Sequence, residues 1–139
     1  MPLSNPADLS LIALEATVDA LAATVNAIDT LTETGGTITT TGLEQDVYIN
    51  NAPPGVYRPV RFVLDFTNHT AGETLVVRTY YRIESGGALI CQDEATYAGV
   101  QDPLLLNVDL DANRYGCSVT VEKTVGTNRA YDWEVFYEI

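Results

Sequence analysis

A single histidine, two cysteines and a short acidic row are the residues of this 139-residue chain whose types could do chemistry. His69 sits in Asn68-His69-Thr70-Ala71-Gly72, which reads as a turn between strands. A catalytic base needs a nucleophile and an activating neighbour, and the flanking sequence offers neither. His69 therefore reads as a solvated loop residue, the alternative being histidines of several copies meeting on a symmetry axis. One histidine and two separated cysteines cannot complete a structural zinc site within one chain unless carboxylates join them.

Cys91 and Cys117 both fall in strand-like runs. Cys117 shares the parity of Val119 and Val121 and is expected to point inward, whereas Cys91 shares parity with both Leu89 and Asp93, which leaves its direction open. Free buried cysteines are the expectation and one disulfide is the alternative, since nothing marks a secreted protein. Asn107, Asp109, Asp111 and Asn113 form an alternating row like the start of a calcium loop. An EF-hand loop needs glycine at its sixth position and glutamate at its twelfth. Counted from Asp109, those places hold Arg114 and Thr120. The row reads as a polar strand face entering a turn, with Asp109, Asp111 and Asn113 as weak metal candidates. Gly35-Gly36 and Gly86-Gly87 lack phosphate-loop spacing, and no nucleophile elbow or Rossmann fingerprint is present. Tyr48, Tyr57 and Tyr80 are either platforms for sugars or ordinary strand residues. The expectation is a protein that is not an enzyme and takes no cofactor.

The elements that would carry these residues fall into two parts: a helical arm over residues 1–34 and a β-sandwich over residues 35–139. The arm is expected to be one amphipathic helix from Pro6 to Thr34. Asn5 suits its N-cap, Pro6 its first turn, and Asp8 the positive end of its dipole. Gly35-Gly36 suits its stop and a flexible joint. About 28 residues at ~1.5 Å each give a rod of roughly 42 Å. Leu11, Leu14, Val18, Leu21, Val25 and Ile28 make a heptad seam, with Leu11, Val18 and Val25 at a and Leu14, Leu21 and Ile28 at d. These six are the expected oligomer interface. Val at a with Leu at d favours a dimer, but the flanking Thr17, Ala22 and Thr24 are small and uncharged, which widens the apolar face. A trimer is therefore favoured, with a pentamer as the larger option. The competing reading has the helix packing on its own sandwich or on a different protein.

After the glycines every run alternates with period two. Phe62, Leu64 and Phe66 oppose Arg61 and Asp65; Leu75, Val77, Tyr81 and Ile83 oppose Arg78, Arg82 and Glu84. Leu104, Leu106, Val108 and Leu110 follow, then Cys117, Val119 and Val121, then Tyr131, Trp133, Val135, Tyr137 and Ile139. Seven or eight strands with one wet face each imply a mainly β fold, an antiparallel β-sandwich of jelly-roll type behind a coiled-coil helix.

Charge narrows the partners. The formal net charge is −12, and residues 1–57 hold seven acidic groups and no Lys or Arg. Such a surface repels nucleic acid and anionic membranes. The opening MPLSNPADLS lacks the basic and apolar regions of a signal peptide, and no run approaches the ~18 apolar residues of a membrane span. The acidic, lysine-poor, Thr- and Ala-rich composition suits a halophile as well as it suits a simply acidic soluble protein.

A helical stalk, a Gly-Gly joint and a compact sandwich together resemble a small virion structural protein of a tailed bacteriophage or archaeal virus. The residues that carry the likeness are Arg61 to Asp65, Thr74 to Ile83 with Gly86-Gly87, and Gly126-Thr127 leading to Trp133-Glu134-Val135. The resemblance implies a homo-oligomeric spike, turret, head decoration or fibre component, located in the virion and in contact with other virion proteins. A haloarchaeal host would fit the composition. There is no Gly-X-Y shaft, fibre repeat or depolymerase-like carboxylate set, so head and tail stay undivided. The alternative is a receptor- or glycan-binding module of a tail fibre or spike, acting on a host surface glycan through Asn50 to Gly55, Ala98 to Pro103 and Val125 to Arg129.

Overall fold

The computed structural model describes residues 6–28, 31–51, 53, 55, 56 and 58–138, with the backbone alone for 6–11 and 25–28. One helix, α1 (Pro6–Ile28), precedes eight strands. These are β1 (Leu31–Thr39), β2 (Gln45–Asn50), β3 (Arg58–Asp65), β4 (Thr74–Tyr81), β5 (Ile90–Ala98), β6 (Leu105–Asp109), β7 (Cys117–Val125) and β8 (Ala130–Glu138). They form two antiparallel four-stranded sheets, ordered β1-β8-β3-β6 and β2-β7-β4-β5.

The expected alternation explains the core. Phe62, Leu64, Phe66, Leu75, Val77, Val119, Val121, Tyr131 and Val135 are buried in one cluster between the sheets. Leu106, Val108, Leu110, Trp133 and Tyr137 pack at its margin. In β4 the register against β5 shifts between Thr79 and Tyr80. The unpaired residue there is Gln92 of β5, and β4 keeps its register against β7 to its end at Tyr81; Ile83, beyond that end, is exposed.

The helix is shorter than expected. It ends at Ile28, and Leu31–Thr34, read from the sequence as its last turn, form the first half of β1. Leu31-Thr32-Glu33-Thr34 alternates with period two, Thr32 and Thr34 being half-buried and Leu31 and Glu33 exposed. Gly35-Gly36 is correspondingly no stop or joint but the middle of β1, facing Glu134 and Trp133 of β8. A Cβ on Gly35 would stand 2.7 Å from the Trp133 carbonyl oxygen, so the close approach of β1 to β8 accounts for glycine here. The expected cap at Asn5 lies outside the described residues. No described helix is long and apolar enough to cross a membrane, a statement that does not bear on β-barrels.

Candidate functional site

The seam residues all lie within the span of α1. Leu14, Val18 and Leu21 are 60%, 55% and 62% exposed, and every described side chain from Ile12 to Thr24 is open to solvent. The side chains of Leu11, Val25 and Ile28 are outside the described set. None of the described helix side chains, Ile12 to Thr24, enters the core cluster. The flanking threonines turn their hydroxyls back onto the helix: Thr17 Oγ1 donates to the Ala13 carbonyl at 2.8 Å and Thr24 Oγ1 to that of Ala20 at 2.9 Å. With hydroxyl groups thus satisfied, the flanks of the stripe present mostly methyl groups.

A second arrangement surrounds His69. His69, expected in solvent, is buried at 3% exposure, beside Glu73 at 3%, Lys123 at 4% and Tyr131 at 0%. Lys123 Nζ lies 3.2 Å from Glu73 Oε2 and donates to Tyr131 Oη at 2.5 Å. The Tyr131 hydroxyl also hydrogen-bonds with His69 Nδ1, 2.8 Å away. Arg129 Nε donates to Glu73 Oε1 at 2.5 Å, and the Thr70 amide to Glu73 Oε2 at 2.9 Å. Burial works to raise the Glu73 carboxyl, but Arg129, the Thr70 amide and Lys123 outweigh it and hold it at about 2. Burial and the Lys123 charge push His69 down. Burial pushes Lys123 down too, with Glu73 opposing it, and raises Tyr131 to about 12.

The cluster ties the β3–β4 loop to β7 and β8. The Arg129 amide donates to Thr40 Oγ1 at 2.9 Å, extending the tie to the end of β1. His69, Glu73, Lys123 and Tyr131 are shut from solvent, while Arg129 is partly exposed. One signal for it was in the sequence: Lys123 has the inward parity of Cys117, Val119 and Val121.

The remaining candidates separate. Asn113 is buried and its Oδ1 accepts from the Gly116 amide at 3.2 Å, closing a turn. Asp111 accepts from Gln92 Nε2, and Asp109 faces Arg61 across β6 and β3. No metal-holding group of three or more His, Cys, Asp or Glu occurs among the described residues. Cys117 is buried as expected, its thiol pushed up to about 11 by burial; Cys91 is exposed, and both are free. Tyr48 packs near Trp133 with ring centroids 6.4 Å apart, and Tyr80 donates to Glu44 at 2.6 Å, so neither stands as an open platform. Tyr57 is outside the described residues. An open groove of about 640 Å³, lined by Tyr81, Ile83, Ile90, Cys91, Gln92, Asp111 and Ala112, runs beside the start of β5.

No family model and no curated protein matches this chain. Among solved structures, a protein of Bacillus endospore appendages, described as a family of disulfide-linked pili, is similar over 79% of this chain and 88% of its own, with 14% identity and a TM-score of 0.47.

Proposed function

We propose that this chain is a non-enzymatic structural protein of a virion, in which α1 assembles copies and anchors them while the sandwich decorates the particle surface. One observation carries the reading: the described part of the heptad stripe is exposed on the single chain, with Leu14, Val18 and Leu21 each more than half open to water. Such a stripe is stabilised by covering it, and a copy of the same helix supplies a matching surface. The helix and the sandwich act as separate functional parts, meeting between Ile28 and Leu31. The strand order of the two sheets is that of a jelly roll, an architecture used in viral capsid and lectin domains. This is support by analogy of fold only.

Purified particles of the host's virus test the reading. Peptides of this chain are expected at fixed stoichiometry, and a chain carrying Leu14→Asp with Leu21→Asp is expected to drop out of the particle. Particles free of the wild-type chain would overturn it. The groove beside β5 favours a second reading, a receptor- or glycan-binding module. Cell or glycan-array binding that is lost on replacing Ile83 and Ile90 would support that alternative.

A further inference from the structure

We infer that the outer edge of β1 pairs antiparallel with the same edge of a second copy, joining two sandwiches through a continuous sheet. The sandwich has four edge strands, and three are guarded. β2 has six residues and a register shift between Asp46 and Tyr48. β6 has five residues. β5 carries Asp93 and Glu94 and is bulged at Gln92, opposite Thr79 and Tyr80. Short length, bulges and charge are the devices by which sheets avoid edge-to-edge pairing.

β1 lacks them. Its nine residues, Leu31–Thr39, pair with β8 in one unbroken register and contain no proline or lysine and a single charge, Glu33. The direction of its backbone groups follows from two hydrogen bonds. The Thr40 amide donates to the Arg129 carbonyl at 3.0 Å, so even-numbered residues bond toward β8. The Thr39 carbonyl accepts from Gln45 Nε2 at 3.2 Å on the opposite side, as that alternation requires. The amides and carbonyls of Glu33, Gly35 and Thr37 therefore point out of the sheet.

An antiparallel strand is complementary to itself about a two-fold axis. With the axis at Gly35, that glycine faces its own symmetry mate and adds no side chain to the contact. Glu33 then lies opposite Thr37 of the second copy, so the single charge of the strand never meets itself. The odd-numbered side chains are on the outer face, where Thr37 Oγ1 donates to Asp132 at 2.5 Å, so pairing disturbs no core residue. A second copy is the occupant because this match uses only groups that β1 itself supplies. Being two-fold, the contact links one α1-assembled unit to the next, and it does not depend on α1.

Residue-resolved amide hydrogen exchange on the full chain, at concentrations spanning its assembly, tests the pairing. Glu33, Gly35 and Thr37 amides are expected to become at least tenfold more protected as mass rises. Unchanged exchange of all three in the assembled protein would overturn the inference. Thr37→Pro removes an outward donor while sparing the β8 ladder and is expected to halve the assembled mass. Should that variant misfold, Thr37→Glu places two carboxylates opposite each other and is expected to halve the mass in low salt and recover it in molar salt. Loss of assembly in Leu14→Asp with Leu21→Asp reports on α1 separately, since the protection of the three amides reads β1 alone.

Discussion

Lys123 and Glu73 form an ion pair at 3.2 Å in which both side chains are at most 3% exposed. In water such a pair contributes little, but here neither charge can be rehydrated without opening the β3–β4 loop. Removal of one member is the informative perturbation, because the other is left behind in a low-dielectric site.

Glu73→Gln strands Lys123 with its charge and is expected to cost about 3–5 kcal/mol of unfolding free energy. Lys123→Met costs less, about 1.5–3 kcal/mol, because Arg129 still holds Glu73 at 2.5 Å. Urea denaturation of both variants checks the order. Equal losses would mean that Arg129 does not share the carboxylate.

Stability depends on pH through the same cluster. Unfolded, His69 takes up a proton near pH 6.5 and Glu73 near 4.5. Folded, burial and Lys123 keep His69 neutral to lower pH, while Glu73 stays ionised down to about 2. The unfolded state thus binds more protons in acid, and stability falls as pH drops. The His69 contribution begins to be lost below pH 6.5; that of Glu73 is complete above 4.5 and disappears toward 2. Denaturation midpoints from pH 7 to 5 are expected to fall more steeply in the wild type than in His69→Gln, and parallel curves would contradict the assignment.

Adjacent glycines in β1 are expected to respond oppositely. Gly35→Ala drives a methyl group to 2.7 Å from the backbone carbonyl of Trp133 and is expected to cost about 1–3 kcal/mol. At Gly36 a methyl group meets the Trp133 ring at 3.7–3.8 Å, ordinary contact distance. Gly36→Ala is therefore expected to be neutral or to stabilise by up to about 1 kcal/mol through the unfolded state. Thermal denaturation of the two variants distinguishes them, and similar losses at both would show that β1 is not held at this spacing.

The sheets were legible because burial of one face imposes period two on most strands, although Cys117–Val121 of β7 and Leu75–Val77 of β4 are buried at consecutive positions. Phe62, Leu64 and Phe66, or Val119 and Val121, announce their direction from neighbours alone. The helix end was misread because Gly-Gly after a leucine-rich run is also what a C-terminal cap looks like. What decides otherwise is β8, some hundred residues away, which gives Leu31–Thr39 a partner strand. The seam was legible as spacing, and its exposure required the structure. The buried cluster was hidden for a related reason. His69 and Glu73 lie in a loop whose polar sequence reads as solvated, and only the folded chain brings Lys123, Arg129 and Tyr131 over them. Lys123 was the one clue, a charged residue continuing an inward-facing row.

We propose that α1 covers its stripe with copies of itself. Light-scattering mass of the full chain in low and molar salt tests it most directly. The helix region has no basic residue to balance Glu15 and Asp19, and at ~1 M salt a Debye length of ~3 Å largely silences their repulsion. The account predicts a multiple of the 15.1 kDa chain mass in molar salt, with at least three copies expected at the seam, and a sharp loss of mass in Leu14→Asp with Leu21→Asp. A wild-type monomer in both salts, or a mass that the double substitution leaves unchanged, would contradict it.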